Sequence, residues 1–112
     1  MVVGLHRDPV HGTVVMAGIG GIHVEVLKDV AFRAVPVSPN EAGRMLDELK
    51  SARILDGVRG APAADRAALA KLISAVSLLG VAAGERLAEL DLNPVCARPD
   101  GAYALDWLMI CK

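Results

Sequence analysis

Five consecutive residues, Glu89-Leu90-Asp91-Leu92-Asn93, alternate oxygen-bearing and apolar side chains. In an extended strand successive side chains point to opposite faces, so Glu89, Asp91 and Asn93 share one face while Leu90 and Leu92 point into a core. A row of oxygen donors results, suited to binding a cation. The same alternation also describes an ordinary half-buried antiparallel strand with a solvated outer face. A further carboxylate, Asp106, stands in Ala104-Leu105-Asp106-Trp107-Leu108, an otherwise apolar stretch where β-propensity and burial both disfavour aspartate. Such a residue calls for a partner, and Asn93 is the candidate. Counting back from a two-residue Pro99-Asp100 turn, Arg98 pairs with Gly101 and Asn93 falls opposite Asp106, where the two can share one metal. Pro99-Asp100-Gly101 also suits a three-residue loop with a bulge at Gly101, which shifts the register by one and sends the two side chains to opposite faces. Pro94, which cannot donate to the ladder, can introduce a compensating bulge. Sequence leaves this choice open.

Other residues offer phosphate chemistry. Gly18-Ile19-Gly20-Gly21 lets backbone N–H groups approach phosphate oxygens with no Cβ in the way, and is equally a tight turn between strands. Arg33 and Arg59 carry guanidinium forks that match phosphate geometry, and either is equally a surface arginine. Glu25, Lys28 and Asp29 read as a solvated strand end. His6, His11 and His23 fall in no metal-ligand spacing and read as structural or surface residues.

The elements that must position these groups follow from periodicity. Residues 2–7, 12–17, 23–28 and 30–37 are β-rich, with Asp8-Pro9 and Gly18 to Gly21 as punctuation. The period then changes. Ser38-Pro39-Asn40-Glu41 supplies an N-cap, a first-turn proline and a glutamate at the capping-box position, and Ala42, Met45, Leu46 and Leu49 follow as an apolar stripe. Ile54 and Leu55 close this unit, and residues 56–62 form a loop by their Gly and Pro content. A second helix, with Asp65 at its start, runs to about Gly84, with Leu69, Leu72, Ile73, Val76 and Leu79 as its buried stripe. Residues 87–97 and 102–110 return to strands around the Pro99-Asp100-Gly101 turn. The fold class is α+β: a mostly antiparallel β-sheet with two helices packed on one side.

Composition narrows the function. A chain of 112 residues is one domain's length, and 54% apolar residues with only 3% aromatics leave Ala, Val and Leu to build the core. Twelve basic against 13 acidic residues give a net charge of −1, without a like-charge run, which argues against nucleic-acid and anionic-membrane partners. The apolar run at residues 72–84 is shorter than the roughly 20 residues of a spanning helix and reads as a buried helix. Cys96 and Cys111 read as reduced thiols, and the N-terminus shows no targeting pattern, so a cytoplasmic location is expected.

Four runs, residues 3–12 (VGLHRDPVHG), 18–33 (GIGGIHVEVLKDVAFR), 55–60 (LDGVRG) and 89–94 (ELDLNP), together resemble the ATP-grasp domain of NDP-forming acyl-CoA synthetases, relatives of the succinyl-CoA synthetase β subunit. The resemblance covers essentially the whole chain in unbroken order. It implies a fold that holds a nucleotide between two α+β subdomains and exchanges phosphoryl groups with a histidine on a mobile loop of another domain. By this resemblance Asn93 and Asp106 are Mg²⁺ ligands, Asp91 steadies the incoming phosphohistidine, and Gly18, Gly20, Gly21, Arg33 and Arg59 serve the phosphates. Mg²⁺ suits such a set, since it takes hard oxygen ligands and often only one or two protein groups.

Only the C-terminal subdomain is resembled. Residues 1–112 are therefore expected to form a single unit without the nucleotide-binding N-terminal half, contributing Mg²⁺ and phosphate contacts to an acid–CoA ligase and binding ATP or another nucleotide only with that half. The alternative is a non-catalytic remnant or assembly module, such as a homodimer. Where the family more often has Phe, Pro and Phe, this chain has His11, Thr13 and His23, and Trp107-Leu108 replaces the usual Ala-Arg after Asp106. The expected partners are a separate chain carrying the rest of the synthetase, or a second copy. Val2, Val3, Leu5 and Val14-Val15-Met16 are the candidates for an unpaired edge.

Overall fold

A computed structural model of the chain describes residues 1–19, 29–57 and 63–112. The predicted strand at 23–28, the candidate residues Gly20, Gly21 and Arg59, and also His23, Glu25 and Lys28, lie outside the described residues.

Among the described residues seven strands and two α-helices follow one another: β1 (Val2–Asp8), β2 (Gly12–Gly18), β3 (Val30–Ala34), α1 (Pro39–Glu48), α2 (Arg66–Ala83), β4 (Leu87–Leu92), β5 (Val95–Arg98), β6 (Gly101–Ala104) and β7 (Trp107–Cys111). Short 3₁₀ turns at Ala52–Asp56 and Gly84–Arg86 flank α2. Five strands form an antiparallel sheet in the order β3-β2-β1-β4-β7, and β5-β6 is a separate hairpin. This is the expected α+β class, with the last two predicted strands each broken once, at Asn93-Pro94 and at Leu105-Asp106.

Alternation along the strands sends one set of side chains toward the helices. Val3 and Leu5 of β1, Val15 and Ala17 of β2, Ala31 of β3 and Leu90 of β4 join Ala42, Met45 and Leu46 of α1 and Leu69, Ile73 and Val76 of α2 in one buried cluster. Burying each large aliphatic side chain contributes about 1.5–3 kcal/mol, so this interface dominates stability. Local signals set the helix starts. Ser38 Oγ accepts from the Glu41 N–H at 3.1 Å, and Asp65 Oδ1 accepts from the Ala68 N–H at 3.0 Å. The first turn between strands is also side-chain built: Asp8 Oδ1 accepts from the Val10 and His11 N–H groups at 2.7 and 2.9 Å. These two bonds hold the Asp8 carboxyl below its ordinary value.

The inner face of α2 departs from expectation. Leu79 is 40% exposed, while Ser77 and Gly80 face inward. A Cβ on Gly80 would lie 3.1 Å from a Leu5 methyl and 3.3 Å from the Thr13 methyl, so close helix–sheet approach selects a small residue there. Ser74 and Ser77 are buried because they satisfy Val37: Ser74 Oγ donates to its carbonyl at 2.7 Å, and Ser77 Oγ accepts from its N–H at 3.0 Å. By length and composition the helix region Arg66–Arg86 is long and apolar enough to cross a membrane, but its inner side packs on the sheet and α1.

Asp29 is no solvated strand end. It is buried and accepts from the Lys50 and Ser51 N–H groups at 2.5 and 3.0 Å, tying the start of β3 to the end of α1. The expected unpaired edge also moves. β1 is the central strand, flanked by β2 and β4, and Val2, Val3, Leu5, Val14 and Val15 are buried. The exposed apolar edge is β7, every residue of which is exposed.

Candidate functional site

The sheet face away from the helices is open, and its floor is set by register. Across the strands one row reads Phe32, Met16, Gly4, Asp91 and Leu108. A parallel row reads Ala34, Val14, His6, Glu89 and Ile110. Val2, Gly18 and Val30 are aligned at the end nearer the β5-β6 hairpin. Part of this face forms a hollow of about 770 Å³ whose lining includes Gly4, His6, Met16, Phe32, Glu89, Asp91 and Asn93. Glycine at position 4 keeps the middle of that floor low beside Asp91. A Cβ there would meet the Leu90 carbonyl oxygen at 2.8 Å.

The turn that sequence left open has two residues. Arg98 pairs with Gly101, and the same register continues through Cys96 opposite Tyr103 and Val95 opposite Ala104. It resumes unchanged at Leu92 opposite Trp107 and Asp91 opposite Leu108. Pro94 adds no shift: the Leu105 N–H donates to the Pro94 carbonyl at 3.0 Å and the Asn93 N–H to the Asp106 carbonyl at 3.3 Å. Counting along that register sets Asn93 opposite Asp106, joined by the main-chain bond, at the break where the hairpin leaves the main sheet; Asn93 lines the hollow and Asp106 stands outside its lining. Side chains directly opposite in an antiparallel pair have Cβ atoms about 4.5–5.5 Å apart, within the span of one shared cation.

Asp106 is exposed, not buried among apolar neighbours as its sequence context implied, because the whole of β7 is exposed. Its Oδ1 accepts from the Trp107 N–H at 2.8 Å, which orients the carboxylate and leaves Oδ2 without a protein partner among the described residues. Asp91 is half-buried, one strand position inward on the same face as Asn93. The candidate donors are thus two carboxylates and an amide oxygen. Among the described residues no group of three or more His, Cys, Asp or Glu gathers as a complete cage. Mg²⁺ needs none, because phosphate and water oxygens fill the remaining positions.

Arg33 stands apart from this set. Opposite Val15 in the ladder, it turns toward α1, where its Nε donates to Glu41 at 2.7 Å and its Nη2 pairs with Glu48. Its Nη1 also donates to the Phe32 carbonyl at 2.8 Å. The hydrogen bonds Arg33 donates to Glu48 and then to Glu41 raise its pKa above its ordinary value, and the Arg33 fork holds both carboxyls below theirs. A phosphate reaching Arg33 would have to displace two carboxylates. Gly18 ends β2 between Val2 and Val30, both of which line the hollow.

Sequence reading took His6 as a structural or surface residue and Met16 as part of an unpaired edge, and assigned Phe32 no role. His6 and Phe32 meet edge to face with ring centroids 5.8 Å apart, across the strand that carries Met16. Positions 2, 4 and 6 share the face of the hollow, opposite core residues 3 and 5, but Val2 and Gly4 are buried as well, so residue type does not mark that face as it does at 89, 91 and 93.

A family model for the ATP-grasp domain matches residues 1–111. The chain is 46% identical to acetate–CoA ligase (ADP-forming) I of Archaeoglobus fulgidus, across 98% of this chain and 16% of the ligase. It is 44% identical to the β subunit of acetate–CoA ligase (ADP-forming) I of Pyrococcus furiosus, across 98% of this chain and 47% of that subunit. It thus spans about half of the β subunit and about a sixth of the longer ligase. Among solved structures, the dinucleotide-forming acetyl-coenzyme A synthetase 1 of Ca. Korarchaeum cryptofilum, in complex with coenzyme A and Mg-AMPPCP, superposes with a TM-score of 0.93 at 40% identity, over 99% of this chain and 52% of that one. With the match running from residue 1 to residue 111 on a shared fold, the chain belongs to the ATP-grasp domain family.

Proposed function

We propose that this chain supplies the metal- and phosphate-binding face of an ATP-grasp active site in an ADP-forming acid–CoA ligase, working in the cytoplasm with a separate chain that covers the nucleotide from the other side. The observation that supports this reading is the constant register on both sides of the break at Asn93-Pro94, which by residue count pairs Asn93 with Asp106, while Asn93 and Asp91 line an open hollow. The relatives that are acetate–CoA ligases, and the one solved with Mg-AMPPCP, support the choice of chemistry.

In this reading Asn93 Oδ1 and the free Asp106 Oδ2 hold Mg²⁺, and Trp107 N–H keeps the Asp106 carboxylate aimed. When bound, Mg²⁺ supplies neutralisation of phosphate charge, the main requirement of phosphoryl transfer. Asp91 accepts a hydrogen bond from the imidazole of an incoming histidine and so orients it toward the phosphate. Gly18, Gly20 and Gly21 stay candidate phosphate contacts on the strength of the resemblance alone. Arg59 stays a candidate phosphate partner on the strength of the resemblance alone. Arg33 instead locks β3 to α1.

Positioning from one side does not suffice for turnover. The test is reconstitution with the nucleotide-binding half of a relative's β subunit and the relative's CoA-binding subunit. Acyl-CoA formation that appears only when this chain is added, and is lost in Asp106→Ala, is the expected result. Activity insensitive to Asp106, Asn93 and Asp91 variants would refute the assignment.

A further inference from the structure

We propose that β7 is a self-pairing edge: two copies of this chain join their Trp107–Cys111 strands antiparallel across a twofold axis at Met109, making the two five-stranded sheets continuous. The inference stands apart from the metal and nucleotide reading.

β7 ends the sheet, and among the described residues nothing pairs with its outer side. Trp107, Leu108, Met109 and Ile110 are 66, 56, 39 and 44% exposed, so both faces of the strand are bare. Sheet edges are normally protected by lysine, proline, an inward charge or a bulge. Residues 107–111 contain no charge and no proline, and the one irregularity in the β4–β7 pair lies at its far end, between Leu87 and Glu89. At the other end of the strand order among the described residues, by contrast, β3 carries Arg33, engaged with α1. An open row of backbone donors and acceptors, flanked by apolar side chains on both faces, fits another strand.

The residues at its ends indicate which strand. A twofold at Met109 sets Met109 against its own copy, Leu108 against the partner's Ile110 and Trp107 against the partner's Cys111. One step further out, Asp106 falls opposite the partner's Lys112, and by symmetry the pair occurs twice. Moving the axis to Leu108 sets Asp106 against the partner's Ile110, and moving it to Ile110 sets Lys112 against the partner's Leu108. Only the Met109 register matches apolar with apolar and acid with base throughout, as stable cross-strand pairs require. Such self-complementarity is the mark of an isologous contact.

A five-residue strand pair buries less than the roughly 1,200 Å² at which stable specific interfaces begin, so the dimer is weak and concentration-dependent. The test is sedimentation velocity on the full chain from about 5 to about 500 µM without divalent cations, because Mg²⁺ and the partner's Lys112 would compete for Asp106. The expected result is a monomer–dimer equilibrium with Kd in the tens to hundreds of micromolar. Met109→Lys, which sets two like charges face to face, should weaken it at least about tenfold with far-UV dichroism unchanged. Lys112→Glu should weaken it about fivefold, and the exchange Asp106→Lys/Lys112→Glu should restore it to within about twofold. A monomer throughout the range overturns the proposal. So does a dimer indifferent to Met109→Lys, which would place the contact elsewhere, and so does a dimer that the charge exchange fails to restore.

Discussion

Three glycines offer a quantitative test of how the sheet floor is built, because the same substitution meets three surroundings. Gly4 pairs with Asp91 in the middle of the sheet, and a Cβ there would lie 2.8 Å from the Leu90 carbonyl oxygen and 3.9 Å from the Asp91 Cα. Its φ is outside the left-handed region, so alanine fits the backbone and reduced unfolded-state entropy alone would stabilise by about 0.4–1 kcal/mol. The clash is with main chain of the neighbouring strand, which cannot yield by a rotamer change, and overpacking of this kind costs about 1–3 kcal/mol. The clash wins, and Gly4→Ala should destabilise by about 1–2 kcal/mol, lowering Tm by about 4–8 °C per kcal/mol. At Gly80 the same methyl meets only the side-chain tips of Leu5 and Thr13, and a helix-propensity gain of about 1 kcal/mol offsets the crowding, leaving the change near neutral. At Gly43, in α1, nothing lies within 4 Å and alanine should stabilise by up to about 1 kcal/mol. Urea denaturation followed by far-UV dichroism ranks the three variants. A Gly4→Ala protein as stable as the parent would refute the close β1–β4 approach beneath Asp91.

Asp29→Ala strips two backbone N–H groups of their acceptor at the end of α1 and should cost about 2–4 kcal/mol by the same denaturation assay; a change within about 0.5 kcal/mol would contradict a buried tie. Because Arg33 depresses the Glu41 and Glu48 pKa values, their contribution to stability is present above the unfolded value of 4.5 and is lost as pH falls through the lower folded values. Denaturation midpoints should therefore drop below about pH 4.5, and Arg33→Gln should flatten that part of the curve. The purified chain alone should neither hydrolyse ATP nor form acyl-CoA, with phosphate release at the buffer level, because the nucleotide is held from one side only.

The shared face of the candidate residues Asp91 and Asn93 was legible from alternation, because a strand with one buried face writes its period into the residue types. That logic set Asp91 and Asn93 on the face opposite Leu90, whereas the place of Asp106 hung on a turn length that sequence left open and that the Arg98–Gly101 pair decides. The Ser38 cap and the stripe Ala42, Met45, Leu46, Leu49 were equally plain, since both are local. What escaped depends on neighbours remote in sequence. Arg33 looks like a phosphate ligand until α1 brings Glu41 and Glu48 to it. Asp29 looks solvated until the chain returns with Lys50 and Ser51. Leu79 outranks Ser77 and Gly80 by hydrophobicity, yet the tight crossing over Leu5 and the bare backbone of Val37 favour the small and the polar residue. The edge strand was misplaced because strand order, unlike strand identity, is not written in any single segment: β1 gains a second neighbour only when β4 arrives more than eighty residues later.

Paramagnetic broadening by Mn²⁺, used in place of Mg²⁺, tests the central claim most directly. In a ¹⁵N-labelled chain titrated with Mn²⁺ and AMPPCP, the account predicts that amide signals fade first at Asp91, Asn93, Asp106 and Trp107, and that Asp106→Asn weakens this focus severalfold while leaving the remaining spectrum in place. Broadening centred instead on Asp8 and His11, or on Glu41 and Glu48, or a focus at Asn93 that survives Asp106→Asn unchanged, would contradict it.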